Sequence, residues 1–319
     1  MVGDSANQGR AEAMGDTRHI PVLMTEVLAA FSPAAGKTLM DATLGGGGHT
    51  RALLEAGAAR VLALDWDAAA LARCAHLEQT YGDRLWLSHA PYDQLDVVAS
   101  AANIPAVDGI LMDLGFSSDQ LDDPVRGLSY HADGPLDMRL NSRQSLTAAA
   151  ILNTWREADI ADLLFHFGEE PKARPMARAI VKVRKESPFV TTRDLVRLVE
   201  DIYPPRRGLQ RAHPAARIFQ ALRVAVNDEM TVLERALGVA AGLLKPGGRL
   251  AVITFQPLEE RLVKKIFREL CADVLDDVGR VVSRAPFVMG RKQIPTADEV
   301  QVNPRARSAI LRVLERTRL

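Results

Sequence analysis

Asp41-Ala42-Thr43-Leu44-Gly45-Gly46-Gly47-Gly48-His49-Thr50 joins a short apolar run, Lys37 to Asp41, to a stretch from His49 to Ala56 with helical propensity. The order strand, glycine loop, helix is the opening of a βαβ unit. Four consecutive glycines allow positive φ and let a ligand approach main-chain N–H groups with no Cβ in the way. At a helix N-terminus such a turn favours an anionic group. A glycine-rich turn is also a common flexible loop, so its place directly after a first strand is what points to ligand binding.

Outward from this loop the alternation continues. Arg60 to Asp65 reads as a second strand ending on an acid, and Ala68 to Gln79 as a helix with an apolar face. Arg84 to Ser88 and Gly109 to Asp113 read as further strands, with Gln94 to Ala102 as the helix between them. From about Thr147 to Tyr203 the period becomes helical, broken at Pro171, Pro188 and Pro204-Pro205. The α/β pattern resumes at Leu243 to Phe255, read as a helix end, a Lys245-Pro246-Gly247-Gly248 turn and a buried strand from Arg249. The expected organisation is a flexible tail over 1–18, a first core part over 19–121, an inserted helical domain over 122–224 and a second core part over 225–319.

Asp65 follows the loop at the ~20-residue distance at which an acid binds the ribose hydroxyls of a nucleoside cofactor. A Gly-x-Gly-x-x-Gly fingerprint starting at Gly45 would need glycine at the position of Thr50, and no Gly-Lys-Ser/Thr follows for a triphosphate loop. What remains is S-adenosylmethionine, its carboxylate on the loop amides and its ribose on Asp65. Asp41 has two readings, stabilising the cofactor's cationic groups or bracing the loop by accepting from backbone N–H groups.

Composition bounds the rest. With 319 residues, 47% hydrophobic and 25% charged, the chain buries a large core, which excludes intrinsic disorder. Cys74 and Cys271 form neither a disulfide framework nor a Cys-x-x-Cys knuckle, so a reducing cytoplasm is expected and no metal. No apolar run reaches the ~20 residues of a membrane span, and no signal-peptide core is visible at the start.

Longer motifs then become specific. Asp113-Leu114-Gly115-Phe116-Ser117-Ser118-x-Gln120-Leu121-Asp122, Arg126-Gly127 and Asp133-Gly134-Pro135-Leu136-Asp137-Met138-Arg139 form one group. With His19-Ile20-Pro21-Val22, Phe219-Gln220-Ala221-Leu222-Arg223 and Asn303-Pro304-Arg305-Ala306-Arg307-Ser308, they resemble the bacterial ribosomal RNA small-subunit methyltransferase H family, 16S rRNA cytosine-N4 methyltransferases. The resemblance implies a class I S-adenosylmethionine-dependent methyltransferase core, Rossmann-like α/β, with an inserted helical domain. It implies methyl transfer to the exocyclic N4 of one cytosine in the decoding region. Cofactor contacts carry over to Gly47, Gly48, His49, Asp65, Tyr92, Asp113 and Gln120. Tyr92 stands where the family usually has Phe, either ring being able to pack on adenine, and His49 is expected to act through its backbone N–H.

Cytosine N4 is a poor nucleophile, so the site must chiefly align it and accept a hydrogen bond from the amino group. Asp113 is the first candidate acceptor. Ser117 and Ser118 read either as further acceptors or as a turn with a helix cap. Asp137 and Arg139 read as the lip of a pocket for the unstacked base or as a rigid interdomain turn. Where the family usually reads Phe-His-Ser-Leu-Glu-Asp-Arg, this chain has Phe255-Gln256-Pro257-Leu258-Glu259-Glu260-Arg261. Gln256 can hydrogen-bond a base but cannot carry a proton.

Forty basic and forty acidic residues give a net charge of +0, yet residues 171–223 hold thirteen basic side chains against four acids. That segment is +9 and the remainder −9, which predicts an RNA-facing surface on the small ribosomal subunit through Arg206, Arg207 and Arg211, with Arg139 at the lip. Arg305, Arg307, Arg312, Arg316 and Arg318 either extend it or solvate a terminal strand. A homodimer is compatible with these features. Two other readings stay open: a catalytically weakened ribosome-assembly factor of the same fold, and a methyltransferase acting on a different substrate.

Overall fold

The computed structural model describes residues 20–115, 123–141, 144–204 and 213–318. Its first half alternates α1 (Met24–Phe31), β1 (Thr38–Asp41), α2 (Gly48–Glu55), β2 (Arg60–Asp65), α3 (Ala68–Tyr81), β3 (Leu85–His89), α4 (Leu95–Ala101) and β4 (Val107–Asp113). Five helices follow: α5 (Ala148–Thr154), α6 (Glu157–Gly168), α7 (Ala173–Val183), α8 (Thr192–Ile202) and α9 (Ala215–Val226). The chain then returns to the sheet through α10 (Glu229–Leu243), β5 (Leu244–Thr254) and α11 (Pro257–Leu270). It ends with a small hairpin of β6 (Val274–Leu275) and β7 (Val281–Ser283), then β8 (Phe287–Met289), α12 (Ala297–Val302) and β9 (Ile310–Arg316). Among the described residues no helix is long and apolar enough to cross a membrane.

The strands form one seven-stranded sheet in the order β3-β2-β1-β4-β5-β9-β8, parallel from β3 to β5. β9 runs antiparallel to both β5 and β8. The path leaves β1 toward β2 and β3 but later fills the other side from β4, so the topological switch point lies between β1 and β4, where ligands settle at the carboxyl ends of strands. This is a Rossmann-like, doubly wound arrangement with an antiparallel edge.

Both faces of the sheet are buried, which is why its strands read as continuous apolar runs. Met40, Leu62, Leu64, Ile110, Met112 and Val252 point to a layer made by α4, α10 and α11. Their chain neighbours Leu39, Val61, Ala63, Leu111, Ala251 and Ile253 point to α1, α2 and α3. Gly109 lies in β4 because the Phe31 ring occupies the space of a side chain, a Cβ there falling 2.5 Å from the ring.

The five consecutive helices share a third core, in which Leu136, Met138, Ile151, Ile160, Met176, Leu195, Ile218 and Leu222 meet. Thr191 and Asp194 form a capping box that restarts the chain as α8 after the Pro188 break. The Lys245-Pro246-Gly247-Gly248 turn expected ahead of the late strand is instead an excursion within β5. Val107 pairs with Leu244 and Gly109 with Arg249, so four residues of β5 bulge opposite Asp108. Lys245 Nζ donates to the Asp108 carboxylate at 2.9 Å and holds that bulge in place.

Candidate functional site

At the carboxyl ends of β1, β2 and β4 the chain encloses a cleft of about 840 Å³. The loop after β1 forms one wall. Gly47 takes φ +75°, and a Cβ on it would lie 2.8 Å from Leu77 Cδ1 and 3.0 Å from Cys74 Sγ. Glycine is therefore required there by conformation and by space. Gly48 is pressed against the Pro21 ring, which closes the cleft from the N-terminal side.

Asp41, 1% exposed, accepts from Thr43 N at 3.1 Å and from Thr50 Oγ1 at 2.7 Å. Both oxygens brace the loop, so the bracing reading of Asp41 accounts for its geometry. Burial raises its carboxyl above the usual range. Asp65, at the end of β2, accepts from Gly45 N and Asp67 N, each at 2.8 Å. Burial raises this carboxyl too, while the two amides favour its ionised form. Its position fixes the first glycine of the loop, and it lines the cleft.

His49 and Asp113 face each other at the bottom, with His49 Nε2 3.5 Å from Asp113 Oδ2. Burial works against a charge on the 6% exposed imidazole, but the carboxylates of Asp113 and Asp41 outweigh it and raise its pKa. Neither ring nitrogen makes a hydrogen bond among the described residues, and the same holds for Asp113 Oδ1 and Trp66 Nε1. Buried polar atoms without protein partners that line a cleft are groups a ligand or water can satisfy. The imidazole itself thus belongs to the cleft, where the sequence had pointed only to its backbone N–H.

The orphaned donors and acceptors, the backbone cradle and the ribose-range acid fit an adenosine-type ligand with a carboxylate. Tyr92 opens a short turn, Tyr92–Gln94, and half-buried borders the cleft; burial pushes its hydroxyl pKa upward, followed by the effect of nearby Glu229 and Glu259. Gln256 borders it as the residue preceding α11, with Pro257 in the first turn, where a missing N–H costs nothing. Glu259 accepts from Phe255 N at 3.0 Å and Gln256 N at 3.2 Å, so the Gln-Pro pair is a well-formed helix start.

The 133–139 segment forms a rim at one end. Gly127 sits against the Pro135 carbonyl and Gly134 against the Pro124 carbonyl, two approaches that a side chain would block. Asn227, 4% exposed, accepts from Leu140 N at 2.9 Å and donates to the Met138 carbonyl at 2.9 Å. Arg139 is clamped by both oxygens of Asp137 and donates to the Gln144 carbonyl at 2.7 Å. That engagement makes it a builder of the rim.

Sequence reasoning did not single out Trp66, Asp67 or Leu140, which line the cleft together with Arg223 and Arg305. Trp66 and Asp67 directly follow the acid that ends β2, a signal that could have found them. Gln120, Ser117, Ser118, Arg206, Arg207 and Arg211 lie outside the described residues.

The basic segment sorts into two kinds of side chain. Arg223 is buried in a two-point pair with Glu229 at 2.7 and 2.9 Å, Arg217 pairs with the fully buried Glu170 at 2.9 Å, and Arg184 donates to the Leu152 and Trp155 carbonyls. Arg223 is internal, while Arg184 and Arg217 are only partly covered but spend their donors on the fold. Arg312, read as part of a surface patch or a solvated strand, is 7% exposed and pairs with Glu260 at 2.9 Å. Residues 122–170 also carry nine acids and only four basic residues, which lowers the balance over 122–224 from +9 to +4. The exposed remainder is ordered: Arg174, Arg178 and Lys182 recur every fourth residue on α7, opposite its buried Ala173, Met176, Ala177 and Ile180.

The sequence matches the MraW methylase family over residues 16–317. Ribosomal RNA small subunit methyltransferase H of Magnetococcus marinus is 45% identical over 311 residues, covering 94% of this chain and 98% of the relative. The protein of the same name from Thermomicrobium roseum is 46% identical over 308 residues, with 94% of each chain covered. Among solved structures, an rRNA methylase from Streptococcus thermophilus aligns with 95% of this chain and 99% of its own, at 13% identity and a TM-score of 0.38.

Proposed function

This chain belongs to the MraW methylase family, and from that premise we propose that it is an S-adenosylmethionine-dependent 16S ribosomal RNA methyltransferase whose target is the exocyclic N4 of one cytosine in the decoding region. The observation that carries the reading is the unpartnered Asp113 Oδ1 at the switch point, buried beside His49. When bound, S-adenosylmethionine supplies an electrophilic methyl on a cationic sulfonium. The loop amides around Gly47 and Gly48 hold its carboxylate, Asp65 the ribose hydroxyls, and Tyr92 the adenine. Asp113 accepts a hydrogen bond from the cytosine amino group, orients its lone pair, and faces the proton that N4 releases. His49 keeps the carboxylate in place. Gln256 hydrogen-bonds the base edge, a role that positioning chemistry permits without a proton carrier.

The substrate is the small ribosomal subunit in the cytoplasm. The α7 stripe of Arg174, Arg178 and Lys182 supports phosphate contact. Neutralising all three should flatten the slope of log affinity against log salt by about 2 to 3, close to one per lost phosphate contact.

Incubation with labelled S-adenosylmethionine and unmethylated small subunits, followed by nucleoside analysis, tests the proposal. N4-methylcytidine is the expected product. Cofactor binding with no methylated nucleoside would instead favour an assembly factor, and label in another molecule a different substrate.

A further inference from the structure

Two parts of the cleft are joined by a continuous chain of polar contacts. Gly45 N donates to Asp65, whose other oxygen accepts from Asp67 N at 2.8 Å. The Asp67 side chain, 8% exposed, accepts from Ala69 N at 3.0 Å as the cap of α3 and from Arg126 Nη2 at 2.9 Å. The Arg126 carbonyl in turn accepts from Met138 N at 3.0 Å, inside the rim that holds Asp137 and Arg139. Gly127 and Gly134 pack against the Pro135 and Pro124 carbonyls and tie the 124–127 turn closely to that rim.

We propose that Arg126 is a positioning residue that, through its pair with Asp67, couples filling of the cofactor side of the cleft to the setting of the 133–139 rim around the target base. This rests on the reading of the cleft in "Proposed function". Two features separate the pair from an ordinary surface bridge. Both groups are largely buried, so solvent screens them little. Asp67 stands two residues from Asp65 and, after burial, its charge helps raise the Asp65 carboxyl, while the Arg126 guanidinium sits directly on the Asp67 carboxylate. A ligand on Asp65 and one against the rim therefore act on the same element, and their coupling must be reciprocal.

The test measures S-adenosylhomocysteine binding to the full chain with and without unmethylated small subunits. In the wild type each ligand tightens the other, on the order of tenfold. In Arg126→Gln that factor falls toward one, while affinity for S-adenosylhomocysteine alone stays within about twofold. Arg126→Lys restores part of the coupling because it keeps the charge. Asp67→Asn retains a competent helix cap and gives the same loss, and the double variant is no worse than either single one. An unchanged coupling factor in both single variants, no coupling in the wild type, or additive effects in the double variant would overturn the inference. Loss of methylation in the wild type would sink the functional reading instead, so the two failures are distinguishable.

Discussion

Asp65→Asn removes one charge and almost no volume, and its consequence follows from two distances. Each carboxylate oxygen of Asp65 accepts one backbone N–H at 2.8 Å, from Gly45 and from Asp67. Asparagine offers a single oxygen, so one amide must face the NH₂ group. Losing a charge-assisted hydrogen bond costs about 1.5–3 kcal/mol, and leaving a buried donor unmatched a further ~1–3 kcal/mol. Against this, the wild-type carboxylate already bears the burial that raises its pKa, a cost the neutral amide escapes. The net loss of stability is about 2 kcal/mol, or roughly 3 °C in melting temperature for a chain of this length. Because the freed amide is in the loop after β1 and Asp65 is the residue proposed to hold the ribose, cofactor affinity should fall by at least ~10-fold, equivalent to about 1.4 kcal/mol.

Thermal melting and calorimetric titration with S-adenosylhomocysteine read the two effects separately. The pH dependence sharpens the case. Since the folded-state pKa of Asp65 lies above its ordinary 3.8, the fold binds a proton more readily than the unfolded chain. Its contribution to stability is then full below 3.8 and lost as pH rises through the raised value. Cofactor affinity should run the other way, weakening on acidification as the acceptor is protonated. Unchanged affinity and melting temperature in Asp65→Asn would refute both the loop-anchoring and the ribose roles.

His49→Gln tests the buried pair: the folded imidazole has a raised pKa, so its stabilisation is complete below 6.5 and fades as pH rises through the folded value. Denaturant titrations at pH 6 and pH 9 should differ more in the wild type than in the variant, and equal differences would remove the pair from the account. Gly47→Ala should cost about 2–4 kcal/mol from positive φ plus overlap with Leu77 and Cys74, whereas Gly238→Ala, with open space on α10, should gain ~0.5–1 kcal/mol; chemical denaturation reads both. Glu170→Gln, in the helical layer, breaks a fully buried acid away from Arg217 and Tyr203. It should lose about 3 kcal/mol with S-adenosylhomocysteine affinity unaltered, and weakened binding would show that the two cores are energetically linked.

The parallel half of the sheet was legible because each strand is short, apolar and closed by a residue the topology needs. Asp41, Asp65 and Asp113 all stand at carboxyl ends of strands, where chain order alone brings them together. β9 was legible only as a terminal strand. Its charged residues look solvated in sequence, yet Glu315 meets Arg249 across the ladder at 2.8 Å and Arg312 meets Glu260 from α11. A strand whose charges are neutralised by distant partners has no alternation to betray its burial. The same holds for the cleft: loop chemistry pointed to Asp65 and Asp113, but Asn227 on Leu140 and Arg126 on Asp67 are pairings of long sequence separation and left no local pattern.

Charge is where separation in sequence mattered most. A net charge of +0 is silent about partners, and a window of +9 overstates the partner-facing surface, because a formal count gives a buried arginine the weight of an exposed one. Arg184, Arg217 and Arg223 spend their donors on carbonyls and acids of the fold. Arg223 is buried, and without its partner its guanidinium would destabilise the fold, so that position is constrained by packing whatever the protein binds. Arg174 and Lys182 have no such duty among the described residues, and Arg178 makes only a solvent-exposed pair with Glu157 at 3.7 Å: all three line the exposed face of a helix whose other face already carries the packing. Electrostatic affinity for a polyanion depends on cations that can meet its phosphates, so this ordered stripe, and not the total, is the quantity that bears on RNA.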